Sequence, residues 1–136
     1  MGSVNPEVRE LFEDAVSLYG EALRDLNAGK LRDAAEKAWC ATVRATAALL
    51  IARGKAKSWD DVKYAGPRRV LLDELESEDR GVEELKMYER YCVRSDSLHG
   101  ACFYEGICEL RERIVRRIKE TRAYIEDAKK LAGLTE

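Results

Sequence analysis

Residues 30–53 read KLRDAAEKAWCATVRATAALLIAR and are closed by Gly54. Wound as a helix, this stretch is apolar around most of its circumference, and its polar side chains fall largely on one stripe through Asp33, Lys37 and Arg44. A helix patterned in this way is buried on several sides, which requires other helices or a sheet to cover it.

The segments on either side supply helices. Asn5 before Pro6 is a helix start: a capping side chain, then a residue whose fixed φ and missing N–H suit a first turn. From there Val8, Leu11, Phe12, Ala15, Leu18, Tyr19, Ala22 and Leu26 recur at three- and four-residue intervals until Gly29. Between Gly54 and Gly81 the pattern weakens into an elaborated connection. Ser58 is placed to cap a short turn through Trp59-Asp60-Asp61, Gly66-Pro67 reads as a break, and Arg68 to Glu78 supports a brief helix. After Gly81 helical spacing runs through Leu85, Tyr88 and Cys92. It resumes beyond Ser95-Asp96-Ser97 and continues to about Leu131, with Ile107, Leu110, Ile114, Ile118, Thr121, Ile125 and Ala128 on one stripe. No segment shows strand-like alternation or β-branched runs. The expected fold is all-α, an up-and-down bundle of four or five helices forming one domain over residues 1–136.

The chain has 136 residues with 24 basic and 26 acidic side chains, a formal net charge of −2. That balance excludes binding to nucleic acid through bulk basicity, so any RNA contact has to be a local patch. Met1 to Glu10 is polar, and the longest apolar run, Ala45 to Ala52, is interrupted by Thr46 and far short of the roughly 20 residues of a membrane span. These features predict a cytoplasmic protein. Charged residues make up 37% of the chain, glutamine is absent, and asparagine occurs only at Asn5 and Asn27, a composition that leans toward a thermophile. Cys40, Cys92, Cys102 and Cys108 contain no Cys-x2-Cys pair; in an ordinary cytosol they are expected free and mostly buried, while in a thermophile intracellular disulfides do occur, so their redox state stays open.

His99 is the only histidine, so acid/base chemistry near neutral pH falls to it by default. It follows Arg94 in the segment Arg94-Ser95-Asp96-Ser97-Leu98-His99. On a regular helix five residues turn about 500°, which leaves Arg94 and His99 roughly 140° apart. A break at Ser95-Asp96-Ser97, with Asp96 as a new N-cap, would bring the two toward one site. An unbroken helix would instead place Leu85, Tyr88, Cys92, Ser95, His99 and Cys102 on one packed seam, with His99 a structural residue.

An all-helical domain of this size, with Glu36-Lys37-Ala38-Trp39 on an Ala-rich second helix and a late Leu98-His99 followed by Phe103-Tyr104-Glu105-Gly106, resembles the archaeal PaREP-group proteins of the HEPN superfamily. Many HEPN proteins are metal-independent ribonucleases with an arginine, four to six residues and a histidine. The resemblance places that motif on Arg94 and His99, with Ser95 as its polar follower. It implies Arg94 as phosphate clamp and His99 as acid/base, with Ser95, Asp96 and Tyr104 supporting them. It also implies a homodimer, which would bring two of each residue to one cleft. The chemistry suits the residue types: RNA cleavage needs a proton removed from the 2′-hydroxyl and another given to the 5′-leaving oxygen, and a guanidinium stabilises the charge on phosphorus between them. The second reading is a non-catalytic interaction or nucleotide-binding module, as HEPN proteins paired with a nucleotidyltransferase are.

Arg113, Arg116 and Arg117, in a segment with three more positive than negative charges, are candidates for RNA contact; the alternative is a solvated face. Tyr88, Tyr91 and Tyr104 lie near the motif and could stack on a base. Cys92, His99, Cys102 and Cys108 match no common zinc spacing, and Cys102 lacks an orienting third group, so neither a metal site nor a thiol nucleophile is expected. Neither a P-loop nor a dinucleotide-binding glycine pattern is present, and no cofactor is expected.

Overall fold

The computed structural model describes residues 5–134. Helix α1 (Pro6–Asn27) begins as its sequence predicts, with the Asn5 side chain accepting the Glu7 amide at 2.8 Å. The polar lead Met1–Glu10 falls partly on residues 1–4, outside the described residues; from Pro6 on it belongs to α1. The chain leaves α1 at Gly29, whose φ of 79° is the left-handed conformation that glycine adopts without a Cβ penalty. A three-residue connection then returns it as α2 (Leu31–Ala52), packed along α1.

Helix α2 is the hub of the molecule and touches nearly every other element. Ala34, Ala35, Ala38, Ala41, Ala45, Ala47 and Ala48 are all fully buried. Small side chains on so many sides let neighbouring helices approach closely, which is the physical content of its all-round apolarity. Its polar stripe behaves as expected: Asp33 is exposed, Lys37 pairs with Asp25 at 2.9 Å, and the Arg44 guanidinium lies 4.3 Å from the Trp59 ring centroid.

The connection that follows contains α3 (Trp59–Val62), α4 (Ala65–Glu78) and α5 (Arg80–Glu84). Two local expectations are corrected here. Ser58 makes no capping bond; the Trp59 amide donates instead to Glu7 Oε2 at 3.0 Å, tying α3 to α1. Gly66-Pro67 does not break the chain, because both residues fall in the first turn of α4, where proline's missing N–H has no helical partner to lose.

Lys86, at φ 55°, separates α5 from α6 (Met87–Arg94). At Ser95 the chain neither breaks nor continues as regular α-helix. It widens into a π-helical segment, Ser95–Tyr104, and the Ser97 hydroxyl donates to the Val93 carbonyl at 2.8 Å. That carbonyl is the one the Ser97 amide would use in an α-helix, and such back-bonding perturbs a regular ladder. The expected N-cap at Asp96 is therefore absent, and so is the single seam from Leu85 to Cys102, which the turn at Lys86 interrupts.

The long final helix is also corrected. A loop follows Tyr104, and α7 (Arg111–Lys119) and α8 (Thr121–Leu131) are separated by Glu120 alone. Ile114, Ile118, Thr121, Ile125 and Ala128 of the expected stripe are buried, but Ile107 and Leu110 lie in the loop, 58% and 62% exposed. Among the described residues there is no strand, and no helix is long and apolar enough to cross a membrane. The architecture is an all-helical bundle.

Candidate functional site around His99

The π segment packs on α2 and delivers its side chains to two separate places on that helix. Near the amino-terminal end of α2, Arg32 and Glu36 stand four residues apart and so share a face. Glu36 Oε1 lies 2.8 Å from His99 Nδ1. Arg32 donates to the Phe103 carbonyl from Nε at 3.2 Å and from Nη2 at 2.6 Å. The other Glu36 oxygen receives the Cys40 thiol at 3.9 Å. Burial, with the Glu36 carboxylate adding to it, pushes that thiol's pKa up, so Cys40 stays a neutral donor.

The His99 ring sits among aromatics, with centroids 6.0 Å from Trp39, 6.3 Å from Phe103 and 5.7 Å from Tyr104. Its side chain retains 38% exposure, and Tyr104, standing edge-on to it, is 72% exposed. Among the described residues Nε2 has no hydrogen-bond partner. Of the two neutral tautomers, a carboxylate beside Nδ1 favours the one with its proton on that nitrogen, and in that tautomer Nε2 carries the lone pair.

Arg94 is placed elsewhere. It is 5% exposed, and its guanidinium enters the bundle between α2 and α8. Nε donates to Thr42 Oγ1 at 2.9 Å, Nη1 to the Arg117 carbonyl at 3.1 Å and Nη2 to Thr121 Oγ1, while the group lies 5.8 Å from the Tyr124 ring centroid. The Thr42 hydroxyl gives its own proton to the Ala38 carbonyl at 2.8 Å and is free to accept from Arg94. Among the described residues no carboxylate bonds this guanidinium, and burial lowers its pKa to about 10. One edge of it reaches a groove of about 590 Å³ lined also by Lys86, Arg90, Arg117 and Glu120, and His99 is not part of that lining.

Arg94 and His99 thus do not converge within one chain. The π segment brings residues five apart closer to a common face than a regular helix does, yet the two side chains are held by different layers of the bundle. Ser95 makes no side-chain hydrogen bond among the described residues, and Asp96 is exposed; the carboxylate on His99 comes from Glu36, 63 residues earlier. Of the RNA-contact candidates, Arg113 and Arg116 are exposed on α7. Arg117 is turned toward Glu109, with Nε 3.9 Å from its carboxylate. Tyr91 is buried and packs on Trp39 with centroids 5.2 Å apart, so it cannot stack on a base; Tyr88 is half-buried and accepts from Arg69 Nε at 3.2 Å.

Sequence reasoning missed Glu36 and Arg32 as site residues. Glu36 and Trp39 stood in the stretch that carried the family resemblance, but nothing in the local pattern linked them to His99. Of the cysteine states that the sequence leaves open, Cys102 and Cys108 take the disulfide, and Cys40 and Cys92 are free. Among the described residues no three His, Cys, Asp or Glu side chains converge as a metal site. Comparison of the chain with protein families, curated proteins and solved structures finds no match.

Proposed function

We propose that this chain is a HEPN-type helical module that acts as a homodimer and cleaves RNA without a metal at a site centred on His99. The observation that carries the reading is the Glu36–His99 pair: a half-exposed imidazole held through Nδ1, with Nε2 free. His99 Nε2 accepts the 2′-hydroxyl proton as the 2′-oxygen bonds to phosphorus, and the bond from phosphorus to the 5′-oxygen breaks. The products are a 2′,3′-cyclic phosphate and a 5′-hydroxyl, whose proton comes from His99 of a second copy. Arg32, on the same face of α2 as Glu36 and with Nη1 uncommitted to Phe103, contacts the phosphate. Tyr104 offers an exposed ring to a base. Arg94 enters as a positioning residue that ties the start of the π segment to α2 and α8, in place of the phosphate clamp its motif suggested.

The occupied guanidinium of Arg94 favours a second reading, a non-catalytic interaction or nucleotide-binding module such as the partner of a nucleotidyltransferase. One assay separates the two: incubation of varied RNAs in EDTA with the wild type, His99→Ala and Arg32→Ala, each checked for folding by circular dichroism. Cleavage leaving cyclic phosphate ends, abolished in His99→Ala and reduced in Arg32→Ala, supports the ribonuclease. Absence of cleavage by the wild type, or cleavage that survives His99→Ala, rejects it in favour of the module.

A further inference from the structure

The disulfide stands at the edge of the His99 site. Cys102, fully buried, lies three residues after His99, and the two residues after Cys102 are Phe103 and Tyr104, which wall the imidazole. Its partner Cys108 is only partly buried and lies in the loop that leaves the π segment. The first half of that loop has backbone anchors: the Gly106 amide donates to the Cys102 carbonyl at 3.1 Å and the Ile107 amide to the Ala101 carbonyl at 2.7 Å. In the second half the Leu110 carbonyl accepts the Arg113 and Ile114 amides at 3.0 and 3.2 Å, which ties that end to α7 and not to the π segment. Ile107 and Leu110 are exposed, Glu109 is a non-glycine residue at φ 39°, and its link to Arg117 is a partly exposed ion pair of 3.9 Å. At that separation the two groups make no hydrogen bond. Covalent attachment through Cys108 is therefore what fixes the far end of the loop against the π segment.

We infer that the Cys102–Cys108 disulfide is a redox switch that sets the geometry of the His99 site. The inference rests on reading His99 as the working group of this protein. The co-reactant is a dithiol, either a small molecule or a reducing protein. Its thiolate attacks the more accessible Cys108 sulfur, the Cys102–Cys108 bond breaks, and Cys102 leaves as a thiolate that takes up a proton. The second thiol of the reductant then attacks the mixed disulfide, releases Cys108 as a thiol and leaves the reductant oxidised by two electrons. With the tie cut, Glu109 is free to leave its left-handed conformation, and residues 108–109 are held only through their chain neighbours, the Gly106 and Ile107 anchors on one side and Leu110 at the start of α7 on the other. Release of the Cys102 side chain lets Phe103 and Tyr104, the two residues that follow it, shift over the imidazole, and the Arg32 clamp on the Phe103 carbonyl shifts with them.

The single histidine makes the test direct, because the only imidazole signal in a ¹H–¹³C spectrum of the full chain belongs to His99. With excess dithiothreitol, alkylatable thiols rise from the two of Cys40 and Cys92 to four, and the ring cross-peak is expected to move by more than a linewidth and return on reoxidation. Cys108→Ser is expected to show the reduced position with or without reductant, and a Cys92→Ser protein to keep the full response. A ring signal that stays in place in protein carrying four free thiols overturns the inference. So does a Cys108→Ser signal that still follows the reductant. RNA cleavage measured on the same samples is a separate readout: a ring signal that moves while neither redox form cleaves RNA supports the coupling and rejects the ribonuclease reading.

Discussion

Arg94 donates from Nε to Thr42 Oγ1 at 2.9 Å, while His99, five residues further on, meets Glu36, six residues before Thr42 on the same helix. Six residues of α2 are roughly 9 Å of helix axis. The two halves of the Arg-x4-His motif are therefore anchored at different levels of the hub helix, one inside the core and one at its rim. Their substitutions are expected to fail in different ways.

Replacement of Arg94 by alanine leaves the Thr42 and Thr121 hydroxyls and the Arg117 carbonyl short of a donor in a closed interior. A loss of about 2–4 kcal/mol is expected, since each buried group left unsatisfied costs roughly 1–3 kcal/mol. Urea denaturation measures it. A positioning role further predicts that Arg94→Ala, held below its own midpoint temperature, shifts the His99 ring signal; an unmoved signal limits Arg94 to a stabilising role.

Glu36→Gln removes the charge but keeps the size of the side chain that orients His99. The expected drop in RNA cleavage is on the order of ten- to a hundred-fold, part of the 10²–10⁴ that positioned acid/base catalysis supplies. Stability should change little, because the pair is only part-buried. Single-turnover rates beside a denaturation curve separate the two effects.

Tyr124 is fully buried, with its hydroxyl 2.7 Å from Thr46 Oγ1. Thr46 already donates to the Thr42 carbonyl at 2.7 Å, which makes Tyr124 the donor to Thr46. Tyr124→Phe is expected to cost about 1 kcal/mol. Burial raises the Tyr124 pKa above the ordinary tyrosine value, so its contribution is whole below about pH 10 and is lost as pH rises toward the folded value. The phenylalanine variant should lose less stability than the wild type between neutral and strongly alkaline pH.

Asp79 caps α5 by accepting the Val82 amide at 3.0 Å and pairs with Arg53 at the end of α2. The Arg53 hydrogen bond, and after it the Val82 amide, hold its carboxyl below the usual aspartate range. A folded pKa below the unfolded one contributes stability above about pH 3.9 that is lost as pH falls through the folded value. Asp79→Asn keeps a good cap and should flatten this part of the acid limb. Asp79→Ala should also lose about 1 kcal/mol at neutral pH. Thermal melts from pH 2 to 7 test both.

Local pattern made α1 and α2 legible nearly to the residue, because Asn5-Pro6, Gly29 and Gly54 are signals read within one or two turns. The site was legible only in part. His99 stood out by being alone, but Arg94, paired with it by spacing, is held in the interior away from it, and nothing in the local pattern linked Arg32 or Glu36 to His99. The π segment escaped because the apolar spacing of residues 92–102 is compatible with an ordinary helix.

Sequence alone determined that this chain is a helical bundle built around residues 31–52, since side-chain periodicity and capping chemistry act over a few residues and are written in order along the chain. Tertiary structure alone decided where the motif's side chains go: Arg94 into a cage of threonines and His99 onto Glu36. It also joined Cys102 to Cys108 across a loop whose sequence reads as more helix. The reason is physical. A buried guanidinium and a half-exposed imidazole are placed by groups arriving from other helices, and a buried sulfur by one from the loop that follows it; the choice among such partners depends on which surfaces the packing of the bundle has already closed.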